Sequence, residues 1–326
     1  MVKLITGGTG FIGAELARTL VGRGEEVVLF DVAPNWERIR DIKDRVKVIL
    51  GNLSNYFEVL NAVKENNIEG IYHLGSMLSI PSDANPQASF QTNVCGTMHV
   101  LEAARLFNVA RVVFTSTFGT YSLGVSQVIT DNTLQRPVTM YGCGKLYGEL
   151  LGMFYRKRFG LDFRSVRLPS IVGPGVRTPG VAQYNSLMIE KATLGEPYEC
   201  YVAENTRYPG VMYFKDVVRC LEMVYQAPME QIKTVNYNVA GLKGGVTAKE
   251  LELLIKKHVP DFSVIYKPDP KVMAVFQARA TVETYDDTKA RKEWGWEPVY
   301  DNVEKQIVDF IQEVRTRPEY YGLTQR

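Results

Sequence analysis

Two polar side chains four residues apart carry the clearest chemical signal in this sequence. Tyr141 and Lys145 fall in a segment with helical patterning, so they lie on one face of the predicted helix. A phenol with an ordinary pKa of about 10 is a poor base at neutral pH, but a nearby ammonium favours the phenolate and lowers that pKa. The pair therefore predicts a group that removes a proton from a hydroxyl or returns it.

Hydroxyl side chains end the strand that is predicted upstream of this helix. Thr115-Ser116-Thr117 follows the apolar run Val112-Val113-Phe114. A hydroxyl at this position can hydrogen-bond the reacting oxygen of a substrate and hold it beside Tyr141. Taken alone, a tyrosine and a lysine at this spacing are more often an exposed pair on a helix, so the interpretation depends on the rest of the chain.

A glycine-rich turn near the N-terminus supplies that context. Gly7, Gly10 and Gly13 stand three residues apart, between the apolar run at 1–5 and a helical pattern at 14–22. Glycine lets the backbone approach a ligand closely, and the N-terminus of the helix offers unpaired N–H groups to a pyrophosphate. The spacing differs from the general G-x-G-x-x-G fingerprint, but the order of strand, turn and helix is the same.

An acidic residue indicates which dinucleotide this turn binds. Asp31 ends the buried strand that follows the first helix, about 20 residues on, where a ribose-binding carboxylate is expected. A carboxylate repels the 2′-phosphate of NADP, and no arginine occurs among the next five residues. The sequence therefore predicts NAD as the cofactor.

Strand and helix patterns alternate through the first half of the chain. The predicted strands are Lys3–Thr6, Val27–Phe30, Val46–Leu50, Gly70–Leu74, Arg111–Thr115 and Phe163–Leu168, and the predicted helices cover 11–22, 55–66, 90–107, 141–159 and, near the C-terminus, 302–315. Such alternation indicates βαβ units. We expect an α/β protein with a Rossmann-type doubly wound parallel sheet. Residues 1–169 would form the NAD-binding domain, and residues 170–326 would form mainly a smaller substrate-binding lobe, with some later segments returning to the sheet.

Composition excludes several classes of partner. Apolar residues make up 45% of the chain, charged residues 23%, and the net charge is +2. Such a balance gives no electrostatic footprint for nucleic acid or a membrane surface, and no apolar run is long enough to span a bilayer. The four cysteines and three histidines show neither disulfide nor metal-ligand spacing. We expect a cytoplasmic protein without a metal that acts on a small molecule.

Together these motifs resemble the extended short-chain dehydrogenase/reductase superfamily, which includes the NAD-dependent epimerase/dehydratase family. The resemblance covers almost the whole chain, in the segments Thr6–Gly13, Asp31, Tyr72–Gly75, Asn93–Thr97, Thr115–Thr117 and Tyr141 with Lys145. It implies that Tyr141 is the catalytic acid/base, that Lys145 lowers its pKa and binds ribose, and that Thr117 orients the substrate.

The resemblance also implies the residues that contact NAD. Asn52 and Leu53 would lie against the adenine, although the family usually has an acid where this chain has Asn52. The full set of implied cofactor contacts is Gly7, Gly10, Phe11, Ile12, Gly13, Asp31, Asn52, Leu53, Leu74, Gly75, Ser76, Asn93, Lys145 and Leu168.

Within the superfamily, later segments are similar to the epimerase-like L-threonine 3-dehydrogenases. The similarity includes Tyr198–Cys200, Glu204–Pro209, Tyr237–Gly241, Tyr266–Asp269 and Trp294–Trp296. It implies oxidation of L-threonine to 2-amino-3-ketobutyrate. The predicted substrate contacts are Ser79, Thr117, Tyr141, Thr178, Gly180 and Arg207.

The chain departs from that group in the region of the substrate pocket. Val181-Ala182-Gln183-Tyr184 replaces a usual Thr-Thr-Asp-Tyr, and Ala280-Thr281-Val282 replaces Ser-Trp-Pro. If Gln183 faces the pocket, a substrate ammonium loses its most plausible acidic partner. Changes of this kind can switch the substrate of an enzyme.

Alternative functions therefore remain open. A nucleotide-sugar 4-epimerase with tightly bound NAD would use the same tyrosine, lysine and threonine, with Arg207 and Arg279 holding a pyrophosphate. A dehydrogenase of another small β-hydroxy substrate and a non-catalytic NAD-sensing protein are further alternatives. The resemblance also implies a homodimer, formed through apolar faces of the helices at 90–107 and 141–159.

Overall fold

Seven parallel strands form the central sheet of the computed structural model, which describes residues 1–177, 181–242, 244–277 and 281–323. The strands are β1 (Val2–Thr6), β2 (Glu26–Asp31), β3 (Lys47–Leu50), β4 (Gly70–His73), β5 (Arg111–Thr117), β7 (Asp162–Leu168) and β11 (Asn236–Asn238). Their order across the sheet is β11-β7-β5-β4-β1-β2-β3, and every neighbouring pair is parallel. The predicted doubly wound fold is confirmed.

Helices cover both faces of this sheet. On one face α1 (Phe11–Gly22) packs against α8 (Phe214–Gln226), and on the other α5 (Gly96–Leu106) lies between α2 (Tyr56–Lys64) and α6 (Met140–Phe159). The remaining helices are α3 (Ser79–Ala84), α4 (Pro86–Ser89), α7 (Tyr184–Thr193), α9 (Ala248–Lys256), α10 (Pro270–Gln277), α11 (Thr288–Trp294) and α12 (Val303–Thr316), and short 3₁₀ turns occur at Lys43–Arg45, Phe118–Thr120, Val181–Gln183, Met229–Gln231 and Pro318–Tyr321.

The predicted element bounds agree with the structure to within two residues, with two exceptions. The helix predicted over 90–107 is divided, because a π-helical turn over Phe90–Cys95 precedes α5. The edge strand β11 carried no periodic signal, since three residues are too few to display one. This strand comes from the second half of the chain and pairs with β7.

Much of the second half forms a smaller lobe beside the carboxyl ends of the sheet strands. Three two-stranded pairs stand outside the main sheet: β8 (Ser170–Val172) with β10 (Val211–Tyr213), β9 (Tyr198–Cys200) with β12 (Val264–Tyr266), and β6 (Val128–Ile129) with β13 (Thr284–Tyr285). A separate core joins α7, α9 and α12 through Tyr184, Met188, Leu251, Ile307 and Phe310. The ligand cavity opens between this lobe and the sheet.

Candidate active site

A cavity of about 850 Å³ lies at the carboxyl ends of the strands. Open α/β sheets bind their ligands at this edge. The walls come from the ends of β1, β2, β4, β5 and β7, from the start of α6 and from the smaller lobe. The volume lies within the range that a cofactor-sized ligand occupies in proteins.

The glycine turn between β1 and α1 forms one wall. Gly7 has φ +66°, in the left-handed region that favours glycine, and its N–H donates to the carbonyl of Phe30 at 2.8 Å. A Cβ at Gly13 would lie 2.3 Å from the carbonyl oxygen of Gly7, so the turn closes against the start of α1 only with glycine there. The N-terminal N–H groups of α1 are thereby presented to the cavity, as an anion site requires.

Asp31 stands at the end of β2, on the same wall. Its Oδ2 accepts hydrogen bonds from the Thr9 N–H at 3.1 Å and from the Thr9 hydroxyl at 2.7 Å. Thr9 belongs to the glycine turn, so the carboxylate is fixed relative to the predicted pyrophosphate site. This geometry fits a dinucleotide whose ribose hydroxyls meet an acid.

Asn52 lines the same end of the cavity with its side-chain orientation fixed. Its Oδ1 accepts from the Ser54 N–H at 3.0 Å and from the Ser54 hydroxyl at 2.9 Å. A backbone N–H can only donate, so the oxygen must face Ser54 and the amide Nδ2 is left to point elsewhere. Where an acid would offer an acceptor to a bound base, Asn52 offers a donor.

Helix α6 carries Tyr141 into the opposite end of the cavity. The helix begins at Met140, with Thr139 as its N-cap accepting from the Gly142 N–H at 3.1 Å. The carboxylate of Asp83, from α3, accepts from the Met140 N–H at 2.8 Å. Both caps fix the first turn of α6, and so the position of Tyr141.

The described surroundings of Tyr141 do not lower the pKa of its phenol. Burial raises the pKa of this phenol to about 12, and a hydrogen bond with the Ser76 side chain offsets the rise only in part. Burial also lowers the pKa of the Lys145 ammonium to about 7. Neither shift includes an interaction between Tyr141 and Lys145, so the lowering of the Tyr141 pKa by Lys145 stays a prediction for the protein with NAD bound.

Ser116 and Thr117, at the end of β5, both line the cavity, but their hydroxyls have different partners. The Ser116 hydroxyl donates to the buried carboxylate of Glu149, which also receives the guanidinium of Arg167 at 2.6 Å. The Thr117 hydroxyl accepts from the Gly119 N–H at 3.0 Å, so its own proton is left to donate to a ligand.

Most of the predicted site residues line this one cavity. They are Gly7, Gly10, Phe11, Ile12, Gly13, Asp31, Asn52, Leu53, Leu74, Gly75, Ser76, Ser79, Thr117, Tyr141 and Leu168, joined by Ala182 and Gln183 from the departing segment. Thr178, Gly180, Arg279 and Ala280 lie outside the described residues, and Thr281 is exposed without lining the cavity.

Three predicted residues do not reach the cavity wall. Lys145 is buried behind it and donates to the Thr115 carbonyl at 2.8 Å. Asn93 is buried in the π-helical turn, where its side chain binds both the N–H and the carbonyl of Met77 and so shapes the wall indirectly. Arg207 is exposed, with a guanidinium nitrogen 3.8 Å from the Glu250 carboxylate, so this geometry does not make it a substrate contact.

Sequence reasoning missed Asp83, which lines the cavity together with Ser79. The spacing of the two residues was an available signal, because positions four apart share one face of a helix such as α3. The sequence analysis predicts no helix at 79–84, so the spacing alone could not place Ser79 and Asp83 on one face. Asp83 therefore became visible only in the structure.

The histidines take no part in the cavity. His73 is buried between the hydroxyls of Thr6 at 2.7 Å and Thr97 at 3.0 Å, and burial, with a smaller effect of Lys145, lowers its pKa to about 3. Within the described residues, no three His, Cys, Asp or Glu side chains are grouped to hold a metal ion. Among the helices that the structure describes, none has the length and apolar character needed to cross a bilayer.

Comparison with known proteins identifies relatives along nearly the whole chain. A model of the NAD-dependent epimerase/dehydratase family matches residues 3–240. The mitochondrial L-threonine 3-dehydrogenase of Bos taurus is 32% identical over 302 residues, which span 91% of this chain and 79% of that protein.

Solved structures with a similar fold include a threonine dehydrogenase and an epimerase. The holo form of a GalE-like L-threonine dehydrogenase from Cupriavidus necator has a TM-score of 0.85 and 29% identity, covering 95% of this chain and 99% of that one. The UDP-glucose 4-epimerase of Thermotoga maritima, in its structure with UDP-glucose, has a TM-score of 0.82 and 22% identity, covering 97% and 99%. At that identity the second likeness shows the fold alone.

Proposed function

This chain belongs to the NAD-dependent epimerase/dehydratase family, and on that basis we propose that it is an NAD-dependent dehydrogenase that oxidises L-threonine to 2-amino-3-ketobutyrate. One observation carries the proposal: the Tyr141 phenol and the Thr117 hydroxyl line the same cavity as the glycine turn and Asp31. An acid/base pair and a dinucleotide cradle are thus brought together, as hydride transfer from a bound alcohol requires.

The residues of this cavity fit NAD. The turn at Gly7, Gly10 and Gly13 would hold the pyrophosphate, Asp31 the adenosine ribose, and Asn52 with Leu53 the adenine. When bound, NAD would supply the hydride acceptor that the protein itself lacks. The part of the cavity around Tyr141 and Thr117 is then left for the substrate.

The protein residues would position the alcohol and move its proton. Thr117 donates a hydrogen bond to the oxygen on C3 of threonine, and the Tyr141 oxygen accepts the proton of that hydroxyl. Loss of this proton and of the hydride from C3 converts the alcohol into a ketone. Lys145 lies one helical turn beyond Tyr141, and its Nζ is 5.7 Å from the centre of the Tyr141 ring. In its charged form, the Lys145 ammonium favours the phenolate of Tyr141.

The charges of the cavity favour an amino acid over a nucleotide sugar. No arginine or lysine is among the described residues that line it, and Arg207 lies outside. Among these described residues a substrate pyrophosphate would meet no cation, although proteins that bind one commonly use arginine; Arg279, the other arginine predicted for this role, lies outside the described residues. The 4-epimerase and the dehydrogenase of another small β-hydroxy compound are therefore the weaker alternatives.

Turnover with a panel of substrates tests the proposal. Purified protein is incubated with NAD and L-threonine, with NAD and 3-hydroxybutyrate, or with UDP-glucose. We expect reduced nicotinamide to accumulate with threonine and no epimerised sugar to form. A protein that converted UDP-glucose to UDP-galactose, and produced no reduced nicotinamide from threonine, would be an epimerase.

We also propose a cytoplasmic homodimer. Met98 and Leu106 on α5, with Leu150 and Phe154 on α6, are 42–58% exposed and form an apolar surface on adjacent helices, whereas Leu101 on α5 belongs to the core. A second copy packed on this surface would cover it. The four cysteines are free thiols, which supports a reducing compartment. Light scattering of the purified protein should give twice the monomer mass, and the F154E variant should be monomeric.

A further inference from the structure

The charged groups of the cavity are few and lie at opposite ends. Among the described residues that line it, the ionised side chains are Asp31 and Asp83. Asp31 is held by Thr9 in the predicted ribose site. Asp83 is at the other end, bonded to the residue before Tyr141. Among the described residues of the cavity wall, Asp83 is therefore the candidate partner for a cationic group of a substrate.

Of the two carboxylate oxygens of Asp83, only Oδ1 accepts a hydrogen bond from a described residue. Oδ1 accepts from the Met140 N–H at 2.8 Å, and no described residue bonds to Oδ2. The first contact holds the carboxylate in place and the second oxygen is available to a ligand. Ser79, on the same face of α3, adds a hydroxyl beside it.

The described residues that the smaller lobe contributes to the cavity wall include no acid. Gln183 lines the wall there, and an amide cannot neutralise an ammonium. In a β-hydroxy amino acid the ammonium is on the carbon next to the one that reacts. Asp83 is bonded to the N–H of the residue before Tyr141 and lines the same cavity, so it is the described acid that such an ammonium can meet at this end.

We propose that Asp83 is the specificity residue that selects an amino acid over the corresponding hydroxy acid, with Oδ2 accepting a hydrogen bond from the substrate ammonium. This inference rests on the proposed function, because it concerns the substrate of that same site. Charge-assisted hydrogen bonds of this kind are about twice as strong as neutral ones.

The D83N variant separates this role from the capping of α6. Its amide oxygen still accepts from the Met140 N–H, while the negative charge is lost. Steady-state kinetics are measured with L-threonine and with (R)-3-hydroxybutyrate, which lacks the ammonium. We expect D83N to lose roughly 30-fold or more in kcat/KM for threonine, mostly through KM, and to change about threefold or less with 3-hydroxybutyrate. D83E should recover part of the loss, and D44N, at an exposed acid far from the cavity, should behave as wild type.

NADH binding to each variant, measured by fluorescence, reports on the fold and the cofactor site independently of turnover. Equal losses for both substrates, or an unchanged ratio between them, would overturn the role of Asp83 while leaving threonine oxidation intact. A wild-type protein that oxidised 3-hydroxybutyrate as well as threonine would overturn it too. Absence of turnover with either compound would instead overturn the proposed function, and this inference with it.

Discussion

The Nζ of Lys145 lies 5.7 Å from the centre of the Tyr141 ring and donates to the Thr115 carbonyl, with the lysine buried and the tyrosine half-buried at the cavity wall. Burial raises the pKa of the phenol to about 12 and lowers the pKa of the ammonium to about 7. Burial thus favours the neutral form of both groups, and a charge on either one stabilises the opposite charge on the other.

The first prediction concerns the pH dependence of turnover. Because oxidation needs Tyr141 as a proton acceptor and its pKa lies above neutrality, kcat/KM for threonine should rise with pH between 7 and 10. K145M should lower the rate at pH 8 by about a hundredfold and move the rise to higher pH. K157M, an exposed lysine on the same helix, should keep the wild-type profile. A K145M profile that matched wild type would remove Lys145 from the mechanism.

A second prediction concerns the glycine turn. A Cβ at Gly13 would lie 2.3 Å from the Gly7 carbonyl, whereas one at Gly22, in the same helix, would meet nothing within 4 Å. G13A should weaken NADH binding by at least about tenfold, or ~1.4 kcal/mol, because the turn must open. G22A should bind as wild type does. Equal affinities of G13A and wild type in a fluorescence titration would mean that the turn does not hold the cofactor.

The third prediction follows from the orientation of Asn52. Its Nδ2 offers a donor, which suits the carbonyl of hypoxanthine better than the amino group of adenine. Wild-type protein should bind NADH and its hypoxanthine analogue within about threefold of each other, and N52D should favour NADH by about tenfold. N61D, an exposed asparagine on α2, serves as the control. An N52D variant without any change in this ratio would show that Asn52 does not read the base.

The fourth prediction concerns Asp131, which belongs to the buried polar side chains around Arg167. The Asp131 side chain is 2% exposed beside Arg167, and burial raises its pKa from an ordinary value near 4 to about 6. The folded state therefore binds the Asp131 proton more tightly than the unfolded chain, so the stability contributed by this group falls as the pH rises from 4 to 6. D131N should gain stability relative to wild type over that interval in urea unfolding. A difference that stayed constant with pH, as expected for the exposed D44N, would contradict the shift.

Most of the fold is predictable from the sequence because burial imposes periodic patterns. Helix α1 was predicted at 11–22 and is observed at Phe11–Gly22, since its apolar residues recur at helical spacing and its glycine turn is local. The strand at Asn236–Asn238 was missed because its place in the sheet depends on pairing with β7, far away in the chain.

The site was less completely predictable, and for a related reason. Tyr141 and the glycines are recognisable by local spacing, but the directions of Asp83 and Arg207 are set by contacts with Met140 and Glu250. The pKa of Tyr141 depends on how much water the folded protein removes, which no spacing reports. Local motifs thus predict which residues could carry out the chemistry, while tertiary contacts determine what surrounds them.

In the proposed reaction, Tyr141 accepts the proton of the threonine hydroxyl in this cavity. The most direct test of this step is the rate of reduced-nicotinamide formation from NAD and L-threonine by wild type and Y141F, with NADH binding measured on the same samples. We expect Y141F to bind NADH as wild type does and to lose activity by about a thousandfold. A Y141F protein that kept most of its activity would contradict the account.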